Sequence, residues 1–189
     1  MGGALVDGQR NPYGKTVRLA NTITHQLDEF GLSFVGGSVA RVMETCGDID
    51  IVFLPTEENS LAKFDIWCEE RDIKQNRTIR RGVVEGIQID IWIASKDNVV
   101  TYVNFANGSG WFNGALRSRA KRMGMKLSQN GLFREEELLV GPCKHLDKMS
   151  IALQENEVFE TLGMTFVPLQ ERSAENSRQA FGIIGRFTK

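Results

Sequence analysis

The sequence has no run of apolar residues approaching the ~18 that a membrane span requires. Its amino terminus, MGGALVDGQR, lacks the charged and apolar regions of a secretory signal. An intracellular location and the absence of a membrane partner are therefore expected. Cysteine is scarce: Cys46, Cys68 and Cys143 are odd in number, far apart and without a CxxC pair, so neither a disulfide framework nor a zinc site is indicated. His25 and His145 have no metal-ligand spacing. Net charge is nearly lacking too, at -1, which speaks against a nucleic-acid partner until the positions of the charges are considered. Between Asn98 and Arg134 there is no Asp or Glu, while Arg117, Arg119, Lys121, Arg122, Lys126 and Arg134 contribute six positive charges. Arg71, Lys74, Arg77, Arg80 and Arg81 form a second basic stretch. Each stretch reads either as solvated surface or as a phosphate-binding surface hidden by the overall balance.

With 189 residues, 41% hydrophobic and 25% charged, the chain can bury one sizeable core or two small ones. Val17, Ala20, Ile23, Leu27 and Phe30 recur at helical spacing from Tyr13 onward, and Gly31 is expected to end that helix. DIDIVFL, Asp48 to Leu54, alternates as a strand does; Leu61, Phe64 and Trp67 return to helical spacing over Asn59 to Glu70. Thr78 to Ala94 reads as two strands joined at Glu85-Gly86. Helices are expected over Asn98 to Asn107, Ser109 to Met123 and Glu155 to Leu162, with short strands at Met125 to Ser128 and Gly131 to Phe133. NGSG, Asn107 to Gly110, is the candidate hinge between a domain spanning 1–107 and one spanning 108–189. Helices and strands at irregular intervals indicate an α+β fold with a mixed sheet.

Alternation along a strand puts Asp48 and Asp50 on one face and Ile49, Ile51 and Phe53 on the other. In GIQIDIWIA, Asp90 stands opposite Ile87, Ile89, Ile91 and Ile93. If these two strands are neighbours, three carboxylates converge, and their mutual repulsion either raises their pKa values or gathers cations. Hard divalent cations, foremost Mg2+, are the natural partner of such oxygen ligands. A DxD alone is usually an exposed polar face. GGSVARVMETCGDIDIVF adds Gly36, Gly37 and Ser38 as a turn opening a short helix, with Arg41 one turn further on, a combination suited to a triphosphate. No Lys-Ser or Lys-Thr follows the glycines, so this is not a Walker A loop.

A Gly-Ser pair, an arginine, D-x-D and a third aspartate on a later strand resemble the nucleotidyltransferase superfamily that includes DNA polymerase beta. More narrowly, FANGSGWFNGALRSRAKRMGMKLSQNGLF and EVFETLGMTFVPLQER are similar to the thumb of DNA polymerase family X, and the resemblance runs over nearly the whole chain from about Arg10. It implies a nucleotidyltransferase palm with a mixed sheet and flanking helices, then a small α+β thumb, in a minimal form without the lyase and helix-hairpin-helix segments of many relatives. It further implies a monomeric DNA-directed DNA polymerase that adds dNTPs to a primer 3'-hydroxyl by two-metal-ion transfer and fills short gaps in repair. Gapped or primer-template DNA and dNTP would be its partners, and two Mg2+ ions, with Mn2+ able to substitute, its cofactors.

By the same resemblance Asp48 and Asp50 would bind both metals, and Asp90 the one near the 3'-hydroxyl. Arg10, Gly37, Ser38 and Arg41 would hold the triphosphate. Gly108 and Ser109 would form the turn beside the incoming sugar, with Phe105 near it, Asn113 would touch the incoming base and Arg117 the template. Arg119, Lys121 and Lys126 would meet the DNA backbone. Phe105, Ala106 and Asn107 depart from the family's aromatic pair and Thr before Gly-Ser, and Gln88 and Trp92 stand where arginines commonly flank the third aspartate. Sugar choice and handling of the primer terminus are where this chain would differ. The alternatives are a template-independent nucleotidyltransferase acting on a nucleic-acid end or a small molecule, and a catalytically silent nucleic-acid-binding module.

Overall fold

The computed structural model describes residues 10–189; segment 1–9, which carries most of the amino terminus read above for a signal, lies outside the described residues. The chain divides into two compact units, one through Ser95 and one from Lys96 to Lys189. The expected division after Asn107 lies inside the second unit, because the helix Val99–Asn107 packs on elements that follow it and Thr101 Oγ1 donates to the Gln129 carbonyl at 2.9 Å.

The first unit runs β1 (Asn11–Pro12), α1 (Tyr13–Leu27), β2 (Gly31–Val35), α2 (Gly37–Ala40), β3 (Thr45–Cys46), β4 (Asp48–Pro55), α3 (Ser60–Glu69), β5 (Lys74–Asn76), β6 (Ile79–Val84) and β7 (Ile87–Ile93). Five strands form a mixed sheet in the order β2-β4-β7-β6-β5, with β4 and β7 parallel and the other neighbours antiparallel. Ile49, Ile51, Phe53, Ile87, Ile89 and Ile91 are fully buried on one face and join a single cluster with Leu19, Ala20, Ile23 and Leu27 of α1 and Phe64, Trp67 and Cys68 of α3. Burying such side chains is worth about 1.5–3 kcal/mol each, so this face fixes which way every strand is turned. The aspartates take the opposite face.

Gly31 has another task than ending α1. The helix closes at Asp28 in right-handed geometry, and Gly31 opens β2, where a Cβ would stand 2.2 Å from the Leu54 carbonyl oxygen. The β6–β7 turn has positive φ at both Glu85 (51°) and Gly86 (76°), the conformation whose twist matches that of the flanking strands.

The second unit comprises α4 (Val99–Asn107), α5 (Gly110–Arg122), the antiparallel strands β8 (Lys126–Ser128), β9 (Gly131–Arg134) and β10 (Glu137–Val140), α6 (Lys148–Gln154), α7 (Asn156–Thr161), a 3-10 turn (Leu169–Arg172) and α8 (Ser177–Arg186). An ion pair lies inside it. Arg172 is 0% exposed, donates to Glu155 Oε1 at 2.5 Å and to the Val167 carbonyl at 2.8 Å, and sits over the rings of Phe159 and Phe166. Glu155 also accepts from the amides of Asn104 and Asn107, tying α4 to the chain's later part.

A buried guanidinium stripped of its carboxylate is far costlier than a lost surface pair. Glu155→Ala is expected to lower the unfolding free energy by about 3–5 kcal/mol, whereas Glu171→Ala, which removes the exposed pair with Arg186, should cost less than about 1 kcal/mol; urea denaturation of both variants measures the contrast.

Candidate active site

The parallel register of β4 and β7 pairs Asp50 with Asp90 and Asp48 with Gln88. Since Asp48 and Asp50 share a face, the three carboxylates gather at one place, and one oxygen of each lies within 4.8 Å of the others. Asp48 and Asp50 are partly buried and Asp90 is 4% exposed. Burial pushes the Asp50 carboxyl up to about 7, with the charges of Asp48 and Asp90 adding to the rise and a hydrogen bond from Trp92 Nε1 (3.5 Å to Oδ1) and the charge of Arg41 opposing it. Burial, seconded by Asp90, also raises Asp48, against the pull of Arg81 and Arg10.

Anionic oxygens crowded together with little water are suited to hard divalent cations, which relieve the repulsion that raises the acids. All the ligand atoms are oxygen and none is nitrogen or sulfur, so the donor set fits Mg2+ or Mn2+ and not zinc. Asp48, Asp50 and Asp90 would hold the ions.

The glycine turn belongs to this cluster. Gly36 N–H donates to the Asp50 carbonyl at 2.8 Å. Gly37 has φ +63°, and a Cβ there would stand 2.2 Å from Asp50 Oδ2. The next side chain, Ser38, presents a buried hydroxyl that finds no hydrogen-bond partner among the described residues. An orphaned hydroxyl next to a carboxylate of this cluster is what a phosphate oxygen could satisfy. Arg10 is held on β3 through Thr45 Oγ1 (2.8 Å) and the Thr45 carbonyl (2.5 Å).

In the sequence Arg81 reads only as one of a basic stretch. It is the register partner of Asp90 across β6 and β7, and its guanidinium forks onto both carboxylate oxygens, Nε to Oδ1 at 2.6 Å and Nη2 to Oδ2 at 2.5 Å. Asp50, Asp90 and Arg81 thus form one row across three strands. The neighbouring Arg80 faces the other way, buried against Asp65 at 2.8 Å.

In the second unit, the expected nucleotide- and DNA-contacting residues divide into those that build the unit and those that face solvent. Ser109 caps α5, its hydroxyl accepting from Phe112 N–H at 3.3 Å and from Ala174 N–H at 3.0 Å. Asn113 is buried and donates its amide to the carbonyls of Phe105 (2.8 Å) and Gly108 (3.2 Å). A Cβ on Gly108 would meet Asn113 Oδ1 at 2.1 Å, so glycine is required there for close packing. Arg117 is exposed and rests on the Asn113 carbonyl at 3.2 Å. Arg119, expected to meet the DNA backbone, is half-buried and donates to the carbonyls of Leu162 (2.6 Å) and Gly163 (3.3 Å), satisfying the end of α7. Lys121 and Lys126 are exposed.

Two outcomes follow from this geometry. Asp50 ionises at a higher pH folded than unfolded, so its contribution to stability is present below the unfolded value of 3.8 and is lost as pH rises through about 7. Without divalent metal the protein should therefore melt at a lower temperature at pH 8 than at pH 5.5, and Asp50→Asn should shrink that difference, as read by calorimetry in chelator. Gly37→Ala forces a methyl group against Asp50 in a left-handed backbone conformation, and Mn2+ titration of the variant should show affinity lowered by at least about tenfold, corresponding to ~1.4 kcal/mol.

Comparison with known proteins bears on the second unit and on the whole chain. Residues 104–173 match the family model described as DNA polymerase beta thumb. The chain is similar in structure to the polymerase beta of Leishmania infantum, solved as a ternary P/T complex, with TM-score 0.68 and 20% sequence identity over 88% of this chain and 78% of that one. No curated protein matches it by sequence. The mixed sheet with flanking helices is the fold expected from the sequence, and it is the fold of that polymerase beta, while residues 104–173 match the polymerase beta thumb model.

Proposed function

We propose that this protein is a DNA-directed DNA polymerase that transfers nucleotides from dNTPs to a primer 3'-hydroxyl and fills short gaps in DNA during repair, acting as a monomer inside the cell. The observation that carries this reading is the convergence of Asp48, Asp50 and Asp90 from adjacent parallel strands, in a chain whose residues 104–173 match a polymerase thumb. Two Mg2+ ions, or Mn2+ in their place, would neutralise charge on the phosphates and help ionise the attacking hydroxyl when bound.

The chain's own groups do the rest. Asp48 and Asp50 would hold both ions and Asp90 one of them. Ser38 donates its unpaired hydroxyl to a phosphate oxygen, with Arg41 and Arg10 supplying positive charge to the triphosphate. The first unit acts as palm and the second as thumb, where Gly108, Ser109 and Phe105 shape the turn beside the sugar. The exposed Arg117, Lys121 and Lys126, in a stretch free of acids, bind the DNA backbone through charge and independently of sequence.

One observation favours a second reading. Asn113, the group expected to meet the incoming base, has its amide engaged by the carbonyls of Phe105 and Gly108. A nucleotidyltransferase that adds nucleotides without a template would need no such contact.

Extension of a primer across a one-nucleotide gap with each dNTP separately, in Mg2+ or Mn2+, decides between them. The expected result is incorporation of the complementary dNTP, with Asp90→Ala reducing the rate by more than about a thousandfold. Incorporation indifferent to the templating base would favour the second reading. Full activity in Asp90→Ala would overturn both.

A further inference from the structure

We propose that Arg81 is the resident counter-ion of the aspartate cluster, occupying both oxygens of Asp90 until a divalent cation arrives and then withdrawing toward solvent. The inference rests on the reading of the cluster as a divalent-metal site and adds a residue that sets its affinity.

The geometry makes Arg81 a stand-in for metal charge. Three carboxylates lie together on one face of the sheet, and the one with least access to water, Asp90, is the one the guanidinium clamps. A carboxylate with water excluded needs a cation or a full set of donors, and besides Arg81 its side-chain donor among the described residues is Gln88 Nε2 at 3.3 Å. The proximity of Asp90, and behind it Asp48 and Asp50, holds the Arg81 guanidinium more firmly protonated than usual.

The two members of the pair differ in their freedom. Asp90 is pinned in the middle strand at 5% side-chain exposure, whereas the Arg81 side chain is 45% exposed and hydrogen-bonds, among the described residues, to Asp90 alone. Arg80, one residue earlier, shows what a fixed arginine looks like here: 3% exposed and bonded to Asp65 and the Arg77 carbonyl. Arg81 has a path outward and Asp90 has none. A divalent cation on Asp90 would stand beside the guanidinium with like charge, and the fork that engages both oxygens would compete with it for the same lone pairs. Binding one would expel the other.

Competition predicts a sign opposite to that of a supporting residue. Removing Arg81 leaves more negative charge for the metal and no rival, so metal should bind tighter, while the metal-free protein should lose stability. The test is Mn2+ titration of the full chain at pH 8, by calorimetry or by the loss of the free-ion paramagnetic resonance signal, in the parent protein, Arg81→Met, Arg81→Lys and Asp50→Asn. Arg81→Met is expected to bind Mn2+ about tenfold more tightly and to melt at lower temperature in chelator, with Arg81→Lys between it and the parent. Unchanged or weaker Mn2+ binding in Arg81→Met overturns the inference while leaving the metal site intact. Equal Mn2+ binding by the parent and Asp50→Asn would instead overturn the metal site and this inference with it. Should Arg81→Met not fold, the parent still decides: nitrogen-15 resonance of the Arg81 side chain, assigned from its absence in Arg81→Lys, should show faster Nε–H exchange on saturation with Mg2+, and an unaltered, protected Nε–H refutes withdrawal.

Discussion

Mutual repulsion among three carboxylates is the constraint on which the first unit turns. The sheet places Asp50 and Asp90 side by side, with Asp48 two residues along the same face, and an unrelieved cluster of this kind would weaken the strand pairing that creates it. The structure answers with positive groups and donors at the rim: Arg81 on Asp90, Trp92 on Asp50, Arg41 and Arg10 further out. The apolar face does the complementary work, since the isoleucines of β4 and β7 cannot turn outward without surrendering the core they share with α1 and α3. A slip of one residue in either strand would move a carboxylate into that core. The sheet's register is therefore set by hydrophobic burial, and the aspartate cluster takes the geometry that burial enforces.

The second unit rests on polar bonds in its interior. Glu155 receives Arg172, Asn104 and Asn107, and Ser109 links the start of α5 to Ala174. These bonds bring residues far apart in sequence to the junction of α4 and α5, the same junction that the family resemblance places beside an incoming nucleotide. Asn113 and Gly108 pack into the same junction, the Asn113 amide donating to the Gly108 carbonyl. A junction built this way is held from several sides by bonds that leave its turn little freedom.

Much of this was legible in the sequence, and what was not has identifiable causes. Strand alternation in DIDIVFL and GIQIDIWIA gave the aspartate face, and the Glu85-Gly86 pair gave the hairpin. That same turn implied more: a two-residue loop pairs Val84 with Ile87 and, three pairs on, Arg81 with Asp90, so the clamp could have been found by counting outward. β2 was missed because Gly31 reads as a helix stop, although its real use is close backbone approach to β4. β5 has three exposed polar residues and no apolar alternation to betray it. α8 buries Ala180, Ile183 and Ile184, a helical spacing that the flanking polar residues of the sequence obscure. Arg119 shows the limit of reading charge runs, because nothing local distinguishes an arginine that meets solvent from one that satisfies carbonyls forty residues later in the chain.

The strand order carries a consequence for how the protein is made. β7 is the last strand of its unit to leave the ribosome, yet it lies between β4 and β6. Until Ile93 has been synthesised, β4 and the β5–β6 hairpin have no partner between them and expose strand edges that invite pairing with other chains. The parallel β4–β7 pair also closes a long loop before it gains its contacts, which slows folding. Assembly of the sheet and assembly of the aspartate cluster are consequently one event, and a nascent chain that stops short of β7 has neither.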